Sequence, residues 1–310
     1  MNSENIREKY EKEIYRLIYD TESTDACERE KAIDDTIIEY VKEKNIKKLY
    51  RYRSVNEYSK KDIIEKSIWL STANEFNDMY DSAVCFMDDI NKKNIRKAMT
   101  TVIRGADYSK NSFLRKYMKK KILNIVNNGL KENSKPVELF FRIHTKRICE
   151  NIRKETLIGC FCEKLDSAYM WGVYGDHGKG ICIEYDYQEI AELAKHNEMK
   201  LCPVLYRNEY ANAESLFIEY KKTGEALNTN YLATIKSMEW KQENEWRIIG
   251  KTDKNKGENI RLIKPTCIYL GPYIDKKSRK EIVRIAQENK IKCKSLEKEI
   301  SKFSFTIRRN

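Results

Sequence analysis

Five of the chain's eleven glycines fall within 22 residues, at 159, 172, 175, 178 and 180, after only two in the first 158. They lie between two apolar runs, LIGCFC and GICIEYD, and beside Tyr169, Trp171, Tyr174 and His177. Short apolar runs bounded by glycine predict core strands. The block therefore reads either as two core strands joined by a tight turn, or as a pocket floor where backbone and rings meet a flat ligand. Both readings need a sheet whose other strands come from elsewhere in the chain.

Those strands are legible. KKLYRYRS and SIWLS read as strands, with Ser54 and Glu57 as a capping box for the short helix between them, ending near Lys66. TANEFNDMYD reads as a polar loop. After Thr156, LCPVLY is a strand with Pro203 at an edge or bulge. EWRIIG, NIRLI and CIYLG read as an antiparallel meander, and SFTIRR as a last strand. Helical periods appear at 4–19 (Ile6, Tyr10, Ile14, Leu17, Ile18) and at Ile33, Ile37 and Val41. Residues 212–238 read as mainly helical, and 275–289 as a helix capped by Asp275 or by Ser278 and Glu281. The fold class expected is α+β: a mixed or antiparallel sheet, N-terminal helices at 1–46, and one domain at 47–310 with a helical insertion at about 88–154.

Charge is concentrated in that insertion. The net charge is +12, but residues 91–154 hold 18 Lys or Arg against 4 Asp or Glu, a balance of +14 that leaves the remainder at −2. Arg115, Lys116, Lys119, Lys120 and Lys121 surround an apolar stripe of Leu114, Met118, Ile122 and Ile125. Such a surface suits an acidic partner, nucleic acid among them. With 41% hydrophobic and 35% charged residues the chain is neither disordered nor membrane-spanning. A charged N-terminus without an apolar core leads us to expect the cytoplasm.

Metal and phosphate-loop chemistry find little support. There are three histidines, and nine cysteines without a CxxC pair, so reduced thiols and no metal are expected. No Walker loop, Rossmann glycine pattern or hydrolase elbow is present. Two polar constellations remain. In LYRYRS, Arg51 and Arg53 share one strand face, and an arginine fork suits a phosphate or carboxylate. Asn77, Asp78 and Asp81 follow in a loop that either holds that arginine or caps the next element. In MEWKQENEWRII, Glu243 and Glu245 project the same way if both lie on the strand, with Trp246 and Ile248 toward the core.

Taken in order, LYRYRS, IWLSTANEFNDMYD, MWGVYGDHGKGICIEYD and KQENEWRII resemble the bacterial family known as domain of unknown function 2971, over about residues 48–308. Met79-Tyr80 stands where that family has Pro-Phe, and Gly175 where it has Ala. A further resemblance, to ADP-ribosyltransferases, rests on the order Arg53 (or Arg51), Ser71-Thr72, then Glu243-x-Glu245. It implies that the arginine and serine hold NAD and that the last glutamate is the catalytic carboxylate. On that reading Trp171, Tyr174 and His177 belong to the cofactor pocket. The chain would then be a nucleotide-handling transferase of a bacterial anti-phage defence or toxin system. The alternative is a non-catalytic module that binds nucleic acid or protein through the basic helices.

Overall fold

The computed structural model describes residues 3–19, 26–76, 78, 81, 82, 84, 85, 116, 117, 120, 121, 123, 124, 128, 150, 153–209, 211, 212, 231–261, 263–299 and 304–308. Helices α1 (Ser3–Tyr19) and α2 (Ala26–Lys44) lead into β1 (Lys48–Arg53), α3 (Glu57–Glu65) and β2 (Ser67–Thr72). Then come β3 (Val84–Cys85), β4 (Thr156–Cys162), α4 (Ala168–Val173), β5 (Ile181–Asp186), α5 (Tyr187–His196), β6 (Lys200–Pro203), β7 (Leu205–Arg207) and β8 (Ala211–Asn212). The chain continues through β9 (Ile235–Ser237), β10 (Glu245–Lys251), β11 (Glu258–Arg261), β12 (Cys267–Leu270), α6 (Lys276–Glu288), β13 (Lys292–Lys298) and β14 (Phe305–Ile307).

The fold is α+β, built on a mixed sheet ordered β11-β2-β4-β1-β5-β12-β13-β14, with β10 and then β6 branching from β4. β12 and β13 run parallel; the other pairings in this sheet are antiparallel. Strand alternation sorts the side chains. Leu49, Leu157, Phe161, Ile183, Trp246 and Ile248 face α1 and α2, meeting Tyr10, Ile14, Ile18, Ile33, Ile37 and Tyr40 in one core. The N-terminal helices thus share the core of the sheet, and position 46/47 is a boundary between elements rather than between cores. The opposite face carries Tyr52, Cys162, Trp171, Cys182 and Tyr269.

Local signals mostly hold, with four corrections. Helix α3 is capped by Asn56, whose side chain accepts from Ser59 N while Ser59 Oγ accepts from Asn56 N. The Ser54–Glu57 box is not used, because Arg53 is still paired with Ile181 and the chain needs room to leave the sheet. LIGCFC and GICIEYD do not form a hairpin: β1 lies between them, and α4 sits in their connection, capped by Ser167. β10, β11 and β12 form no meander; they join β4, β2 and β5 respectively. β10 is buried along all but its last residue and takes a central place, whereas β11, alternating half-buried and exposed, takes an edge. Finally, 235–237 is a strand, parallel to β7, where helix was expected; tertiary pairing overrides local propensity. The 88–154 insertion lies mostly outside the described residues.

Candidate functional site

Strand β4 is where the sheet forks. β10 pairs with it from Thr156 to Cys162, along one edge. Two strands share the other edge: β2 reaches Leu157 and Ile158, and β1 meets it only at Cys162. Between those contacts β1 and β2 part, and a cavity of about 230 Å³ opens at the gap. Its walls include Arg51 and Arg53 from β1, Trp69 and Ser71 from β2, Cys160 from β4, and Tyr174, Lys236, Glu243, Glu245 and Arg247.

Register explains why both sheet faces contribute. Tyr50, Cys162 and Glu245 lie opposite one another across three strands and so share a face. Arg51 and Arg53 are on the other face of β1, yet they line the same cavity because it lies in the split between strands.

The acidic side is a chain of buried ion pairs. Glu243 closes a 3-10 turn at Met238–Glu243, Asn244 takes a left-handed conformation (φ 45°), and Glu245 opens β10. Both carboxylates thereby reach one ammonium: Lys236 Nζ donates to Glu243 Oε2 at 2.5 Å and to Glu245 Oε2 at 2.9 Å. Arg247 Nε donates to Glu245 Oε1 at 2.8 Å, and its two terminal nitrogens form a fork onto Asp81. Tyr174 Oη donates to the remaining oxygen of Glu243 at 2.6 Å.

The environments drive the two carboxyls apart. Burial raises both, but for Glu245 the Arg247 guanidinium and Lys236 ammonium outweigh it and hold the group well below the usual carboxylate range. For Glu243, burial and the negative charge of Glu245 win over Lys236, and its value is raised. Burial pushes up Tyr174, and the thiol of Cys160 as well.

The basic side differs. Arg53 donates to Asp62 at 3.3 Å. Arg51 has no hydrogen-bond or ion-pair partner among the described residues; its guanidinium lies over the Phe161 ring, 5.8 Å from the centroid. Burial and the neighbouring Arg53 push it below the ordinary arginine value. A guanidinium on a cavity wall with no hydrogen-bonded acceptor among the described residues, and with Asp62 as its nearby counter-charge, suits a carboxylate or phosphate.

Residues 170–248 match the model of a family described as "Protein of unknown function (DUF2971)". Over that stretch, about a quarter of the chain, the sequence is similar to that family. No curated protein and no solved structure matches it. The matched segment supplies Tyr174, Lys236, Glu243, Glu245 and Arg247; Arg51, Arg53 and Ser71 reach the same cavity from outside it.

Trp171 and His177, expected in this pocket, line a different cavity of about 280 Å³ with Tyr273 and Phe305. Trp171 is 1% exposed, its indole N–H donates to Leu165 O, and its ring meets Tyr52 edge-on at 5.1 Å; it is a core residue. The loop acid Asp81 holds Arg247, not Arg51 or Arg53. Of the basic set, Lys116, Lys120 and Lys121 are helical and exposed, while Arg115 and Lys119 lie outside the described residues, as does Asn77. Among the described residues no cluster of His, Cys, Asp or Glu is arranged for a metal.

Sequence reasoning missed Lys236, Arg247, Cys160 and Trp69. Lys236 left a signal, a lone lysine closing the run YLATIK. Trp69 left another: in SIWLS the indole shares a strand face with two serines rather than with the core residues Ile68 and Leu70.

Proposed function

We propose that this cavity is the active site of a nucleotide-handling transferase of the ADP-ribosyltransferase kind, acting on NAD. One observation carries the reading: Arg51, which has no hydrogen-bond or ion-pair partner among the described residues, shares a cavity with two carboxyls, Glu243 and Glu245, whose acidities are driven in opposite directions. Arg51, with Arg53 beside it, would take the pyrophosphate, and Ser71 lies on the same wall. Glu243 would face the ribose. The geometry favours it over Glu245 as the acting carboxylate, since Glu245 is locked between two cations, Arg247 and Lys236, whereas Glu243 shares one ammonium and a neutral tyrosine hydroxyl.

In the reaction the bond between the nicotinamide nitrogen and ribose C1′ breaks, and its electron pair leaves with the nicotinamide. The cationic carbon that remains is steadied by ionised Glu243, which also takes the proton released when a nucleophile attacks C1′. Tyr174 and Lys236 position Glu243. The exposed Lys116, Lys120 and Lys121 support an acidic acceptor, nucleic acid among them.

NAD consumption tests the reading. Glu243→Gln should bind NAD and lose about 100-fold or more in turnover. Arg51→Ala should weaken NAD binding about tenfold or more while sparing turnover at saturation, because its contact exists before and during the reaction. Wild-type protein that neither binds nor consumes NAD would overturn the transferase and leave the basic-helix binding module.

A further inference from the structure

The position of Trp69 names the part of the ligand that this site would grip hardest. We propose that Trp69, seated against Gly257, is the stacking platform for the heteroaromatic ring of the nucleotide; this rests on the reading above.

Trp69 is set apart from the other three tryptophans. Trp171 and Trp246 are 1% and 0% exposed, and Trp240 lies partly buried beneath the Lys236 ammonium, 4.9 Å from its ring centroid. Trp69 is 45% exposed and stands on the cavity wall. Strand alternation puts it there, because Ile68 and Leu70 take the core face of β2.

Its seat is built. A side chain at Gly257 would collide with Cζ2 and Cε2 of the indole and with the Leu70 carbonyl oxygen. Gly257 has no left-handed backbone angle, so glycine is needed here for space rather than for conformation. Its N–H donates to Glu75 Oε1 at 3.3 Å, which ties the seat to the turn that follows β2. A large ring held on one edge by backbone and open to a cavity is suited to stack a flat ligand ring without reordering itself.

Two readouts on the full chain test this: calorimetry and tryptophan fluorescence, titrating NAD and AMP. Both ligands should quench the wild-type emission. Trp69→Ala should abolish most of the quench and weaken both ligands about tenfold or more while the protein stays folded, its melting temperature lowered only modestly by the lost contact with Gly257. Trp69→Phe should recover much of the affinity. Gly257→Val should mimic Trp69→Ala by displacing the indole. If Trp69→Ala binds both ligands as the wild type does while Arg51→Ala weakens them, the platform fails and the transferase reading stands. A Trp69→Phe protein no tighter than Trp69→Ala would also refute stacking. If neither ligand binds the wild type, both readings fall.

Discussion

Glu243 and Glu245 stand two positions apart and differ because of what surrounds them. Each is buried, and each touches Lys236, but only Glu245 also holds Arg247. Glu245 is therefore a structural anion as much as a site residue. Glu245→Gln leaves Lys236 and Arg247 with a neutral partner deep in the protein and should lower stability by about 3 kcal/mol, read as a drop in the urea midpoint. pH separates the two acids. A depressed folded value means that the ion pairs of Glu245 stabilise the fold above the ordinary 4.5 and that this contribution is lost as pH falls below it. A raised value works the other way. The contribution of Glu243 is present below 4.5 and is lost as pH rises through its folded value, so ionising it costs stability just where activity should appear. The acid limb of the activity profile should lie above pH 4.5. A limb at or below that value would contradict the base role given to Glu243.

At the scale of elements, the first helix holds the site strand in place. Arg7 of α1 donates to the carbonyls of Val204 and Glu245, at 3.0 and 3.1 Å, and pairs with Glu11 and Glu163. Glu163 Oε1 also accepts from Tyr40 of α2 and from Trp246 of β10. The backbone of Glu245 is clamped at both ends, its N–H donating to Tyr206 Oη at 2.9 Å. The fork in β4 depends on the same packing, for Gly159 lets Leu70 and Ile68 of β2 close directly over its Cα. Arg7→Met keeps much of the apolar stem but leaves Glu11 and Glu163 short of a cation and two carbonyls short of a donor. We expect a loss of about 3 kcal/mol in stability by denaturant unfolding. An unchanged midpoint would show that α1 is only draped on the sheet.

Along the sequence, the basic excess and the cavity residues are separated. The cavity lies among strands from 50–81 and 158–247, whereas the basic excess belongs to 91–154. Charge at such density neutralises phosphates without reading sequence, so on the proposal of a nucleic-acid acceptor, binding should fall steeply with salt. Reversing Lys116, Lys119, Lys120 and Lys121 to glutamate should weaken it by about tenfold or more at 50 mM salt and flatten the salt slope, as read by fluorescence anisotropy. Catalysis toward small nucleophiles should be untouched. Binding that survives the reversal would make these lysines a solvated face. No helix among the described residues is long and apolar enough to cross a membrane.

Elements are legible in this chain wherever the rule is local. The stripes of Tyr10, Ile14 and Ile18 and of Ile33, Ile37 and Val41 predict α1 and α2, Asp275 caps α6, and Pro203 marks an edge strand, because periodicity, capping and a missing N–H act over a few residues. The family resemblance over MWGVYGDHGKGICIEYD and KQENEWRII was legible for a related reason: these blocks are contiguous side-chain patterns within or at the edge of the matched segment. Partners across the sheet were not. Nothing within LIGCFC or GICIEYD says that β1 separates them, and nothing within EWRIIG says that it lies against β4 rather than beside NIRLI. Likewise, nothing in the apolar block around Trp171 says that it is a core residue, and only its packing against Tyr52 buries it. Pairing and burial are settled by competition among all the strands for one core, and the cavity exists only where that competition leaves β1 and β2 apart on the edge of β4.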